Sequence, residues 1–428
     1  MVLSKWLGVS RLRAYYSQNG LSGMMRALIR GVTAAMSGVL ISSALSAVAQ
    51  ILIARQLGLL LYGEYSTLTA TFALIASLLG IGLDTWILAE GSRNPANLTR
   101  SVWHVLLLKA VGAVVVLALL AIAWQSHVVN TLVFVVGVVG VILDSFAQTG
   151  YSALRAVKRN GQVAFFQSLT PALLLLALWA TQGASLTVLL LVAIQAVTGG
   201  VITIAMLARI WQMYGSPAGH TFDLRYVLGG AWLFVAADVL ANIYTQSGIV
   251  LLGNTVGPAE VALLRPALTI INYTFMVSGL LFSVGLPMLN TPGLTRQGFA
   301  GLVRTMSVAA ALFGTATMAG LWLFGDLVLH RLYGDQFAGA LPLLRIVAVI
   351  PLIKAGTFVC AAVLIARGNM RLRVAMQLVV AALSLGLGWL IVPRWGAAGA
   401  AWLYVGIEAA LFALYCAGAL YAARRDGR

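Results

Sequence analysis

The sequence predicts an all-α polytopic membrane protein of about twelve transmembrane helices in two six-helix lobes. Three observations carry that reading: the composition, the length of the apolar runs and the distribution of Lys and Arg. Of 428 residues, 61% are hydrophobic and only 9% charged, whereas a soluble domain carries about 25% charged residues. A single soluble core could not hide so much apolar surface, because cores stop growing and chains divide into domains. Apolar runs of about 20 residues, the length a helix needs to cross hydrocarbon, recur from end to end. The net charge of +16 would suggest nucleic acid in a soluble chain. Here basic residues that hold cytoplasmic loops inside account for it, and no nucleic-acid partner is expected.

The runs predict helices at 31–54, 63–90, 102–124, 131–156, 161–181, 186–211, 224–253, 258–290, 300–324, 341–366, 371–392 and 395–423. With both termini cytoplasmic, 21 of the 27 Lys and Arg residues fall on the cytoplasmic side, Arg93, Arg100, Lys109, Arg367, Arg371 and Arg373 among them. One span more or fewer would scramble that alternation. The other six are Arg55, Arg265, Arg331, Arg345, Lys354 and Arg394. Trp103, Trp124, Trp211 and Trp395 fall near helix ends, where interfacial anchors belong. The expected location is the cytoplasmic membrane.

Residues 1–30 are basic but lack a compact apolar core with a cleavage site, and read as a cytoplasmic lead-in. A six-helix lobe over 31–211 follows, then a cytoplasmic linker at 212–223, "QMYGSPAGHTFD", a second lobe over 224–423 and a tail at 424–428. The longest outer loop, around 325–340, is too short for a catalytic domain, and no enzyme activity is expected. Cys360 and Cys416 sit in apolar segments and read as small packing residues. The four histidines are scattered without ligand spacing, so no metal site and no cofactor is expected.

The two lobes echo each other. "NTVGPAEVALLRP" (Asn254–Pro266) follows helix seven as "RQLGLLLYGEYS" follows helix one, with Gly257 in the place of Gly58. "RAVKRNGQ" after helix four matches "IARGNMRLR" after helix ten. Six spans return the chain to its starting side, so the halves are parallel repeats, and such transporters place their site between the halves near mid-membrane.

The "R-x-L-G-x-x-x-Y-G-x-Y" hairpin of Arg55–Tyr65 resembles that of the polysaccharide transporter family. The "G-I-G-L" of Gly80–Leu83, the basic "ARGNMRLR" turn and "VPRWGAAGAAW" (Val392–Trp402) are similar too. That family contains Wzx-type flippases for lipid-linked oligosaccharides, within a superfamily that also holds MATE exporters and lipid II flippases. The resemblance covers roughly residues 24–423. It implies a two-lobed bundle that moves a polyprenyl-pyrophosphate-linked sugar outward by alternating access, alongside other membrane proteins of polysaccharide assembly. A MATE-type drug exporter is the alternative, and a membrane-embedded enzyme or a scaffold subunit of glycan assembly is another.

Ionisable groups in hydrocarbon are costly and line cavities or pair with one another. Asp144, Asp238, Lys354 and Glu408 each fall roughly 20 Å from an outer helix end at 1.5 Å per residue. Arg or Lys suits a pyrophosphate in a partly dry cavity, and the candidates are Arg265, Arg345, Lys354 and Arg55. Asp238, Asn242 and Gln246 recur four residues apart and share one face of helix seven. Asn242, Tyr244, Gln246, Asn272 and Tyr273 are candidates to face sugars. Asp144, Asp238 and Glu408 are candidates to couple transport to H⁺ or Na⁺. Lys354 and Glu408, at equal depth, read either as a structural ion pair or as cavity-lining groups. Asp84 is expected to reach the cytoplasmic interface.

Overall fold

The computed structural model describes residues 9–93, 97–125, 132–157, 159–181, 186–215, 223–289 and 295–425. The described residues are helical almost throughout: α1 (Val9–Leu78), α2 (Ile81–Arg93), α3 (Leu98–Gln125), α4 (Leu132–Ala156), α5 (Asn160–Ala180), α6 (Val188–Tyr214), α7 (Leu224–Thr255), α8 (Pro258–Leu289), α9 (Arg296–Tyr333), α10 (Leu341–Val347), α11 (Ile350–Ala366) and α12 (Met370–Arg425). A 3-10 turn, Asp335–Ala340, leads into α10.

Nine of these helices are long and apolar enough to cross a membrane, and α10 with α11 makes a tenth span bent by 42°. Pro351, in the first turn of α11, lacks the backbone donor that a continuous helix would use across that bend. Two of the nine are folded back on themselves. Gly58 takes φ +70° inside α1 and Gly396 takes φ +56° inside α12, a left-handed conformation open to glycine at little cost. Gln50 and Tyr65 lie close together across the first reversal. Gly388 packs on Leu403 and Gly418 on Met376 across the second. The second arm of α1 continues through the break at Gly80 into α2, so the chain makes twelve passes among the described residues.

Large apolar side chains face outward along these helices; Leu323 is 76% exposed and Trp179 69%. On a soluble monomer so much apolar surface would be anomalous; in a bilayer it meets lipid. The protein is a multi-pass membrane protein.

The passes from α1 to α6 form one lobe and those from α7 to α12 the other. Their seam is the second arm of α1, with α2, lying antiparallel to α7. Gly253 backs onto Thr67, Gly82 onto Val235 and Gly230 onto Trp86, while Gly63 meets Pro258 at the start of α8. At Gly63 and Gly82 a Cβ would fall on the backbone of the opposing helix, so these glycines set how closely the lobes approach.

Two expectations are corrected. Residues 325–340 do not form a loop: α9 runs on to Tyr333, where Gly334 (φ +87°) ends it, and the 3-10 turn follows at once. Polar residues such as Asp326, His330 and Arg331 suggested a loop, yet they lie on a helix that projects past its apolar section. The first turn is likewise helix on both sides of Gly58. Most of the expected linker, residues 216–222, lies outside the described residues, as do residues 1–8 of the lead-in and 426–428 of the tail.

Candidate functional site

Both ends of the seam are tied across the lobes. At the Gly58 end, Arg55 donates from Nε to the carbonyl of Leu332 at 2.8 Å and from its guanidinium to the carbonyl of Arg331. These are final-turn carbonyls of α9, which have no partner within their own helix and face the negative end of its dipole. Tyr62 packs edge-on against Phe337 at 5.7 Å, and Phe337 against Tyr333 at 5.7 Å. At the other end, Arg100 pairs with Asp223 at 3.5 Å and lies 4.9 Å above the Tyr226 ring. His104 accepts the Asp223 backbone N–H at 2.9 Å, and Trp86 meets Tyr226 edge-on at 5.6 Å.

Between these ties each lobe holds cavities. In the first lobe a cavity of about 340 Å³ is lined by α1, α4, α5 and α6, with Thr69, Phe72, Asp144 and Gln195 on its wall. A second, of about 390 Å³, shares Asp144 and adds Ser42, Gln148, Tyr151 and Arg155. Asp144 is exposed to this space and accepts from Gln148 Nε2 at 3.3 Å.

Behind that cavity Lys109 Nζ lies 2.6 Å from Asp84 Oδ2 and 2.6 Å from the Ser145 carbonyl, while Thr149 donates to Asp84 Oδ1 at 2.7 Å. Both charged side chains are buried. This corrects the expectation that Asp84 reaches an interface and that Lys109 is a cytoplasmic cation: α2, α3 and α4 pack closely enough to enclose both.

The second lobe has a cavity of about 310 Å³ whose polar wall is Asn242 and Tyr244 from α7, Lys354 from α11, and Arg373, Gln377 and Tyr415 from α12. Lys354 Nζ lies 2.5 Å from Glu408 Oε1, and 5.6 Å and 5.5 Å from the ring centres of Tyr244 and Phe275, within range for cation–π attraction. Glu408 is fully buried, and its Oε2 has no hydrogen-bond partner among the described residues. Arg373 donates from Nε to the Tyr415 hydroxyl at 3.3 Å. Among the described residues no carboxylate pairs with Arg373.

The structure thus brings together Asn242, Tyr244, Lys354 and Glu408, and adds Arg373. Arg373 had been assigned to a cytoplasmic turn. Its only sequence signal is Gln377 one turn later on the same face, where the helix is otherwise apolar. The other candidates lie elsewhere. Arg55 holds the end of α9, Arg345 is exposed on α10 and Asn272 is exposed on α8. Arg265 is half-buried on α8 within electrostatic reach of Tyr62, Tyr65, Tyr273 and Tyr333. Asp238 accepts from Thr85 at 3.3 Å across the seam, and Asn242 donates to the Asp238 carbonyl. The side-chain oxygen of Gln246 is buried without a partner among the described residues. Cys360 and Cys416, expected as separate packing residues, lie with their sulfurs 2.9 Å apart.

The fold is shared with solved transporters. The chain is similar to the lipid II flippase MurJ in an inward closed conformation, with a TM-score of 0.71 at 11% identity over 92% of this chain and 87% of that one. It is similar to an inward-facing multidrug resistance MATE family transporter of the MOP superfamily, with a TM-score of 0.67 at 15% identity over 91% and 98%. A MOP superfamily transporter from Pyrococcus furiosus, described by the reverse polarity of its binding pocket, scores 0.67 at 14% identity over 93% and 95%. None of the curated protein sequences matches. A family profile described as "Polysaccharide biosynthesis protein" matches residues 28–291. That stretch spans the first lobe, the seam and the start of the second lobe, and the chain belongs to the polysaccharide biosynthesis protein family.

Proposed function

We propose that the protein flips a lipid-linked, phosphate-bearing oligosaccharide across the cytoplasmic membrane by alternating access of its two lobes. The observation that carries this reading is the cavity of the second lobe, where Lys354 and Arg373 stand among the amide and aromatic groups of Asn242, Tyr244, Gln377 and Tyr415. Cations in a partly dry cavity suit a phosphate, and amides and rings suit sugars. The family membership and the transporter fold support the same reading. In it, the Arg100 end faces the cytoplasm, as the Lys and Arg distribution requires, and other membrane proteins of polysaccharide assembly supply and receive the substrate. Asp144 takes the part of a coupling carboxylate for H⁺ or Na⁺.

The second reading is a drug exporter, favoured by the open carboxylate of Asp144, since a cationic drug would seek it. Deletion of the coding sequence separates the two. The flippase reading expects surface polysaccharide to be lost, restored by the wild-type chain, with drug susceptibility unchanged. Normal polysaccharide together with raised susceptibility would replace it with the exporter.

A further inference from the structure

The cations of the second-lobe cavity are not equivalent. Lys354 is held by Glu408 at 2.5 Å, so its charge is neutralised where it stands. Among the described residues the Arg373 side chain has as partners only a hydroxyl and, at 3.7 Å, the Met370 thioether. A guanidinium carries five donors and no acceptor, so most of its hydrogen-bonding capacity is uncommitted. Asp238 lies within its electrostatic reach but is hydrogen-bonded to Thr85.

The two cations are also set at different depths. Arg373 is anchored at Tyr415 and Lys354 at Glu408, seven residues apart on the second arm of α12. That places the anchors about two turns, or roughly 10 Å, apart on one face. Arg373, three residues into its helix, stands nearer the Arg100 end; Lys354 is deeper.

We propose that Arg373 is the residue that first grips the phosphate of the transported lipid, and that Lys354 joins it by exchanging Glu408 for the phosphate. This rests on the flippase reading for the identity of the ligand, but the anion site itself rests on the cavity. Glu408 acts as a mask. While it holds Lys354 the cavity is only weakly cationic, and an anion must compete with a carboxylate to reach the second cation. Glu408 holds Lys354 through one oxygen, the other having no hydrogen-bond partner among the described residues. A bare carboxylate stranded at that buried position is costly, so Glu408 takes up a proton as Lys354 turns to the phosphate.

The test is a binding titration on the full-length purified protein in detergent, with inorganic pyrophosphate, a short polyprenyl diphosphate and the corresponding polyprenol as separate probes. The wild type should bind both diphosphates and not the alcohol. Arg373→Gln should weaken diphosphate binding by about tenfold or more, the scale of a lost charge-assisted hydrogen bond, and Arg373→Lys should restore part of it. Glu408→Gln should tighten binding several-fold by unmasking Lys354, and Arg345→Gln, on the exposed face of α10, should change nothing. Unchanged diphosphate affinity in a folded Arg373→Gln protein overturns the proposal; if Glu408→Gln does not fold, that variant decides alone. Weaker binding in a folded Glu408→Gln overturns the masking role. Binding of inorganic pyrophosphate without the lipid diphosphate would keep Arg373 as an anion site and remove the flippase reading.

Discussion

Lys109 Nζ lies 2.6 Å from Asp84 Oδ2, joining α3 to α2, and the same ammonium reaches the Ser145 carbonyl on α4 at 2.6 Å. Three passes of the first lobe are thereby tied at one buried point. Removing one member of such a pair strands a charge in a low-dielectric interior, which costs about 3–5 kcal/mol. Lys109→Met should therefore lower the thermal unfolding temperature sharply in a detergent melt followed by tryptophan fluorescence. The double variant Asp84→Leu with Lys109→Met should recover much of that loss. A melt of the single variant equal to wild type would refute the pair as a structural tie.

Arg55 holds the last carbonyls of α9 from across the seam. Arg55→Ala should loosen the Gly58 end. Spin labels introduced by Leu60→Cys and Leu327→Cys, both at exposed positions, should then show a broader and longer distance distribution in pulsed electron resonance. An unchanged distribution would mean that the aromatic contacts of Tyr62 with Phe337 close this end alone.

Gly82 faces the Val235 backbone, and a backbone atom cannot swing aside as a side chain can. Gly82→Ala should cost about 1–3 kcal/mol, the range for overpacking a close contact. Gly320→Ala on α9, where nothing stands within 4 Å of the added methyl, should be neutral or stabilising by up to about 1 kcal/mol from helix propensity. Equal melting temperatures for the two variants would show that the seam is not close-packed at Gly82.

Glu260, at the start of α8, accepts the backbone N–H of Ala397 at 2.8 Å and so holds the reversal of α12 at its second-arm N-terminus. Glu260→Ala should cost about 1–2 kcal/mol, as for a lost helix cap. Gly396→Ala should cost at least as much, because φ of +56° is strained for any residue with a Cβ and that Cβ would meet the Glu260 carboxylate. A thermal melt of each variant measures this, and unchanged melting in both would show the reversal to be held elsewhere.

Much of the architecture was legible in the sequence because it follows from solvent. Apolar runs of span length cannot rest in water, and their basic flanks alternate with the number of crossings, so twelve passes could be counted from residues alone. One pair of positions matched between the halves also shares a backbone conformation. Gly58 and Gly257, matched as equivalents by position, both take positive φ, at +70° and +129°. Charged residues beyond an apolar run were harder to read: at 325–340 they looked like loop and proved to be helix, because solvated helix and solvated loop share a composition.

The candidate site was legible only in part. Lys354, Glu408, Asn242 and Tyr244 stand out as polar groups inside apolar runs, and that signal is local. Whether Lys354 pairs with Glu408, whether Arg55 faces a cavity or an α9 terminus, and whether Arg373 lies in a turn or on a cavity wall are relations between helices distant in the chain. Burial of Lys109 with Asp84 is of the same kind. The sequence by itself determined the membrane as solvent and the number of passes, because transfer free energy acts on each segment separately. Tertiary structure alone decided which charges are paired, which tie the seam and which line a cavity, because each of those depends on a partner that another helix supplies.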